Sequence, residues 1–265
     1  MSARTDLAIV PGFRSGRPSY RWRGIGRIED LEIDFSSRDR PALVTAVLAT
    51  CAEPPVEDPE EVWRLTLAAR VGGLLAIYAE TVRTESLPLE VRCPHDDCRE
   101  GMEVELPVPE LVALAQAAEA RPETDVAGQD GPIVLRRPRG TDQRLWRRRA
   151  YADGAEAEAA LLASLVISGT LAAEERSAAA EALAAFDPLS CFEIDVRCPE
   201  CARQSGIPVD LEAVLLASLS RAQARMISDV DRLARRYGWS EAEVLAIPAW
   251  RRRRYLALDG DGWPA

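Results

Sequence analysis

Four of the six cysteines fall in two close pairs, Cys93 with Cys98 and Cys198 with Cys201, and thiols grouped this way in a reducing compartment favour metal over disulfide. The second pair, Cys198-Pro-Glu-Cys201, has the two-residue gap of a zinc knuckle. The first, Cys93-Pro-His-Asp-Asp-Cys98, has four residues in its gap, the upper end of what such sites use. Their flanks match: Glu90-Val91-Arg92-Cys93-Pro94 and Asp195-Val196-Arg197-Cys198-Pro199 read as an internal repeat, and two matching caps imply one shared ion. Four thiolates fill a tetrahedral sphere around Zn2+, so the expected cofactor is a structural zinc with no position left for a reactive water. About 100 residues separate the pairs, so everything between them must be an insertion that returns to the same point.

Other chemistry is poorly supplied. His95, the single histidine, lies inside the first knuckle, where it is an alternative ligand should a cysteine be displaced. With no lysine there is no phosphate-binding Gly-rich loop of the usual kind, and no second histidine serves as base for a nucleophile. The carboxylate pairs Glu60-Glu61 and Glu174-Glu175 sit at expected helix starts, where they complement the dipole. Cys51 and Cys191 read as small core residues. No catalytic residue is assigned, and the chain is expected not to be an enzyme.

The elements that must position the cysteines follow from hydrophobic period. Residues 87–91 and 102–106 alternate as strands around the first pair, and 192–196 and 207–209 do the same around the second. Helices are expected over 59–81, with an interruption near Gly72-Gly73, and over 109–120, 155–167 and 172–185; residues 121–131 read as a loop and 133–135 as a short strand. The stretch from Asp210 to Tyr237 carries apolar residues at spacings of three and four, predicting one long amphipathic helix. Ser240 with Glu243 forms a capping box for a last short helix, and Pro248 closes or bends it. The fold class is therefore α+β, mainly helical, with two β-hairpin zinc knuckles joined into one split zinc-ribbon-like site and a long C-terminal amphipathic helix. The domains expected are an extended N-terminal arm over 1–40, a helical and zinc-knuckle domain over 41–209, the long helix and terminal short helices over 210–258, and a tail over 259–265.

With 265 residues, 47% of them hydrophobic, the chain can bury a substantial core. A net charge of −10 argues against non-specific binding to a nucleic-acid backbone, although arginines cluster locally at 136–149 and 251–254. No stretch is apolar enough to span a bilayer and no secretory leader is apparent, so a cytoplasmic chain is expected.

Several stretches together resemble the baseplate hub and hub-assembly family of T-even-type contractile phages and related contractile injection systems. The clearest is Leu233-Ala-Arg-Arg-Tyr-Gly-Trp-Ser-Glu-Ala-Glu-Val-Leu-Ala-Ile-Pro248, followed by arginines and Tyr255-Leu256. The order of Leu65-Thr66-Leu67, the first knuckle, the Arg-x-Pro-x-Gly-x-Asp segment from Arg136 to Asp142, and Asp187-Pro188 before the second knuckle is similar too. The likeness covers about residues 41–258. The first knuckle departs from the pattern in its longer gap and in lacking a glycine after its second cysteine. The resemblance implies a structural or assembly component of a phage-tail-like particle, with other baseplate, hub, spike or wedge proteins as partners and the arginine clusters as docking sites for acidic surfaces. A zinc-ribbon protein that binds nucleic acid or assists transcription is the competing expectation, motivated by the knuckles and the arginine runs.

Overall fold

The computed structural model describes residues 20–258, and over these the chain is α+β, 53% helical with small antiparallel sheets. The arm expected over 1–40 lies outside the described residues as far as position 19. From Tyr20 onward the chain is packed onto the core: β1 (Arg21–Trp22) buries Trp22, and a 3-10 helix (Ile28–Glu32) buries Asp30. Asp30 is held by a two-pronged ion pair from Arg23 at 2.8 and 2.9 Å and by the N–H groups of Gly26 and Arg27.

α1 (Arg40–Cys51) follows, capped by Asp39, with Pro41 in its first turn. Val44, Val47, Leu48 and Cys51 are fully buried, so this helix is enclosed on several sides and lacks a clean polar face. β2 (Ala52–Glu53) pairs with β1. The helix expected over 59–81 is two helices, α2 (Pro59–Trp63) and α3 (Leu67–Val82), and the break falls at residues 64–66. Gly72 and Gly73 do not interrupt α3. They are close-packing positions: a Cβ on Gly72 would lie 2.8 Å from the Ala115 Cβ, and one on Gly73 would lie 2.6 Å from Leu48 Cδ2.

The first hairpin is β3 (Ser86–Arg92) with β4 (Gly101–Pro107), leading into α4 (Val108–Glu119). The expected loop over 121–131 is instead β5 (Glu123–Gly128), which pairs with β6 (Gly131–Arg136). Next come α5 (Gly140–Arg148) and α6 (Gly154–Leu165). α6 stops two residues before its expected end because Val166–Ser168 form β7, the third strand beside β6. α7 (Arg176–Phe186) covers this small sheet and shares a core of Val126, Ile133, Leu135 and Ala179.

The second hairpin, β8 (Glu193–Arg197) with β9 (Gln204–Pro208), leads into α8 (Leu211–Tyr237), then α9 (Glu241–Ala246) and α10 (Ala249–Ala257). Asp210 caps α8, and Gly238 ends it at φ +70°, a backbone angle that favours glycine. The boundary drawn at 209/210 is crossed by the main core: Leu211, Leu215, Leu216 and Leu219 of α8 pack with α1, α3, α4 and the bases of both hairpins. The other half of α8 packs Val230 and Leu233 on Val244, under a cluster of Tyr237, Trp239 and Tyr255. Among the described residues no helix is long and apolar enough to cross a membrane.

Two motifs singled out in the sequence meet here. Leu65-Thr66-Leu67 runs beside Pro138-Arg139-Gly140: Leu67 N–H donates to the Pro138 carbonyl at 2.9 Å and Gly140 N–H to the Leu65 carbonyl at 3.1 Å. Arg136 pairs with both oxygens of Asp142 at 2.7 and 2.9 Å, and Asp142 also accepts from Arg139 N–H. The arginine run 136–149 is thus largely neutralised within the fold. Arg137 is buried over the Phe186 ring beside Asp187, Arg144 makes a two-pronged pair with Glu60, and Arg147 and Arg149 face Asp39 and Glu156.

Candidate metal centre

Each cysteine pair sits at the tip of a hairpin whose geometry the chain repeats. At the base, Val108 N–H donates to the Glu85 carbonyl and Val209 N–H to the Phe192 carbonyl, both at 2.8 Å. At the tip, Cys93 N–H donates to the Glu100 carbonyl at 2.8 Å and Cys198 N–H to the Arg203 carbonyl at 3.0 Å. The residue after the second cysteine is left-handed in both, Arg99 and Ala202, each at φ +57°. Glycine is the usual occupant of such a position, and a residue with a Cβ pays about 1–2 kcal/mol there. The missing glycine therefore leaves the turn in place, under strain, in both halves.

The two tips converge. Cys93, Cys98, Cys198 and Cys201 place their sulfurs within 4.8 Å of one another, with Cys93 to Cys201 at 3.8 Å and Cys98 to Cys198 at 3.6 Å. All are free thiols. A disulfide would need about 2.05 Å. Metal–sulfur bonds of about 2.3 Å arranged tetrahedrally give S···S edges of about 3.8 Å, which the Cys93–Cys201 and Cys98–Cys198 separations match. The donor set thus fits a thiophilic ion. Cys93 and Cys198 are buried while Cys98 and Cys201 are half-buried, and Met102, Val91, Val196 and Ile207 pack around the group.

The polar groups around the sulfurs favour charge on them. Backbone N–H groups two residues beyond the cysteine, at His95, Glu100 and Arg203, point at Cys93, Cys98 and Cys201. The Arg203 guanidinium, hydrogen-bonded to Cys201, pulls that thiol down to about 6. For Cys98 the N–H of Glu100 works in the same direction, but desolvation and the neighbouring thiols prevail and push it up to about 12. Cys93 is raised as well, by desolvation and the thiols of Cys201 and Cys198, against the N–H of His95.

Sequence reading identified the four cysteines but missed what locks the tips together. His95 stands outside the four-sulfur group: its Nε2 is hydrogen-bonded to Ser205 Oγ of the other hairpin at 2.9 Å. Arg203 of the second tip pairs with Asp97 of the first at 2.5 Å, which lowers the Asp97 carboxyl. Arg203, two residues after its cysteine, was the available signal. Cys51 is fully buried, as expected, whereas Cys191 is exposed, because it lies in the turn between α7 and β8 rather than in the core.

No family model, curated protein or solved structure matches the chain.

Proposed function

We propose that this chain is a zinc-stabilised, non-enzymatic component of the baseplate of a contractile phage tail or injection system, in its hub region, acting through protein–protein contacts. The observation that carries the zinc reading is the closed group of four sulfurs. Cys93, Cys98, Cys198 and Cys201 would hold one Zn2+ and together make a split ribbon, with the hundred-residue insertion returning to its starting point. Bound there, zinc supplies a cross-link between hairpins and no open coordination position. Four thiolates and a divalent cation leave two negative charges, and the N–H groups of His95, Glu100 and Arg203 with the Arg203 guanidinium stand where they offset them.

The assembly reading rests on the resemblance in residues 41–258, and the fold supports it in one respect. The motif segments Leu65–Leu67 and Arg136–Asp142 act by bracing each other, so their residue types are explained by packing without an active site. Function then belongs to surfaces. The test is co-expression with the sheath, tube, spike and wedge proteins of a contractile particle from the same source. Recovery in a tail-like complex supports the reading, and a chain that joins no such complex removes it. The competing reading, a zinc-ribbon nucleic-acid binder, draws on the exposed arginines of α10; it requires steeply salt-dependent binding to a duplex, which a gel shift measures.

A further inference from the structure

Two exposed faces at opposite ends of α8 carry opposite charge. The first is the outer face of the β3–β4 hairpin, where the register sets Glu90 directly opposite Glu103, with Glu105 two pairs further along and so on the same face. Like charges directly opposite in a ladder are destabilising. Beside α8 this face walls a groove of about 500 Å³, lined by Glu90, Glu103 and Glu105 over an apolar floor of Leu89, Val104 and Val214. Arg221 is the cation among the lining residues, and its guanidinium donates to Ser218 Oγ at 2.9 Å.

The second face is the tip built by the other end of α8 with α10. From Ala222 to Leu258 the sequence has eight arginines against four carboxylates, in a chain of net charge −10. Arg251, Arg253 and Arg254 are exposed, while Arg252 turns inward and donates to the carbonyls of Leu245 and Ile247. Trp250, 56% exposed, lies under the Arg254 guanidinium at 5.1 Å. An exposed tryptophan among arginines has the composition of a protein interface.

The faces cannot meet within one molecule. Ala217 lines the groove and Tyr237 packs on Tyr255 of α10, and these positions stand about 30 Å apart along the helix. We propose that the occupant of the acidic groove is α10 of a second copy of this chain, its arginine heads on Glu90, Glu103 and Glu105 and its apolar stems on the groove floor. Because the two surfaces differ, the contact is head-to-tail and generates a ring or an open chain of copies. A nucleic acid is the weaker match: the remainder of the chain is strongly acidic, and the complementary groove is on the protein itself. The inference goes beyond the baseplate reading and stands or falls separately from it, since neither surface includes a cysteine.

The experiment is the mass of the purified full-length chain across a concentration series, by sedimentation at low and high salt. The expected result is a mass that rises with concentration at low salt and falls to the monomer at high salt. Glu90→Arg with Glu103→Arg, and separately Arg251→Glu with Arg253→Glu and Arg254→Glu, should each stay monomeric. An equimolar mixture of the two variants should associate again, because the reversed groove of one faces the reversed helix of the other. All five positions are exposed, and circular dichroism checks that each variant folds. A wild-type chain that is monomeric throughout, association indifferent to either reversal, or a mixture that fails to associate would overturn the proposal. So would a monomeric wild type that binds a DNA duplex through α10.

Discussion

Gly140 is the first residue of α5 and lies against a fully buried charge, Arg70. Arg70 is fully buried, stacked 5.2 Å from the Trp63 ring centroid, and donates to Thr45 Oγ1 at 3.0 Å and to the carbonyls of Val62 and Pro41 at 3.1 and 2.7 Å. Burial pushes its pKa down to about 10, so it remains charged at neutral pH. A Cβ on Gly140 would sit 2.7 Å from Arg70 Nη1 and 2.9 Å from both Arg70 Cζ and the Trp63 carbonyl oxygen. The guanidinium has nowhere to retreat without breaking one of its three bonds. Overpacking costs about 1–3 kcal/mol, and a guanidinium N–H left unsatisfied in the core about as much again. Part is offset by the lower chain entropy of alanine, about 0.5–1 kcal/mol. The net expectation for Gly140→Ala is a loss of about 2–4 kcal/mol, read from urea denaturation. Gly154 is a matched control: it too begins a helix, α6, and a Cβ there meets nothing within 4 Å. Gly154→Ala should therefore fall within about 0.5 kcal/mol of the wild type. Equal effects at the two glycines would refute the placement of Arg70 and the explanation of the Arg-x-Pro-x-Gly-x-Asp segment.

At the knuckles, Ala202→Gly should stabilise the protein by about 0.5–1 kcal/mol by relieving a left-handed alanine, and Arg99→Gly should act in the same direction, both read as a rise in Tm. A fall in Tm at both sites would contradict the strained turns. Asp187 is raised above the usual carboxylate range by burial, which outweighs Arg137 at 3.7 Å. A raised folded pKa means stability that is present below the unfolded pKa and lost as pH rises through the folded one. The stability of Asp187→Asn relative to wild type should therefore climb across that interval, and a pH-independent difference would refute the assignment. Chelation should free the hairpin tips to exchange amide hydrogens while α3 stays protected, because the hairpin bases belong to the main core. Exchange that accelerates equally everywhere would show that the metal holds the whole fold.

How much of this was legible in the sequence depended on whether a local signal stood alone. The four cysteines, their hairpins and α8 declared themselves through spacing and period, and the Ser240–Glu243 capping box forms as its pattern requires. α1 went unseen because burial on several sides erases the polar stripe that marks a surface helix, although Asp39 followed by Pro41 is a helix-start signal. β5 was hidden by its polar residues, yet Asp130-Gly131 at the turn into β6 is a hairpin cue. Gly72 and Gly73 were misread as an interruption because helix propensity says nothing of a neighbouring helix that needs the space. The internal pairing of the arginines from 136 to 149 was beyond reach, since Glu60, Asp39 and Asp187 come to them from distant parts of the chain.

Four thiolates from two distant hairpins should close around one zinc ion. Elemental analysis of the purified chain, paired with thiol titration before and after chelation, tests it most directly. One zinc per chain is expected, with Cys191 reacting freely at first and Cys93, Cys98, Cys198 and Cys201 becoming reactive as the zinc leaves. A chain that carries no zinc, or that keeps its zinc after Cys198→Ser with Cys201→Ser, would contradict it.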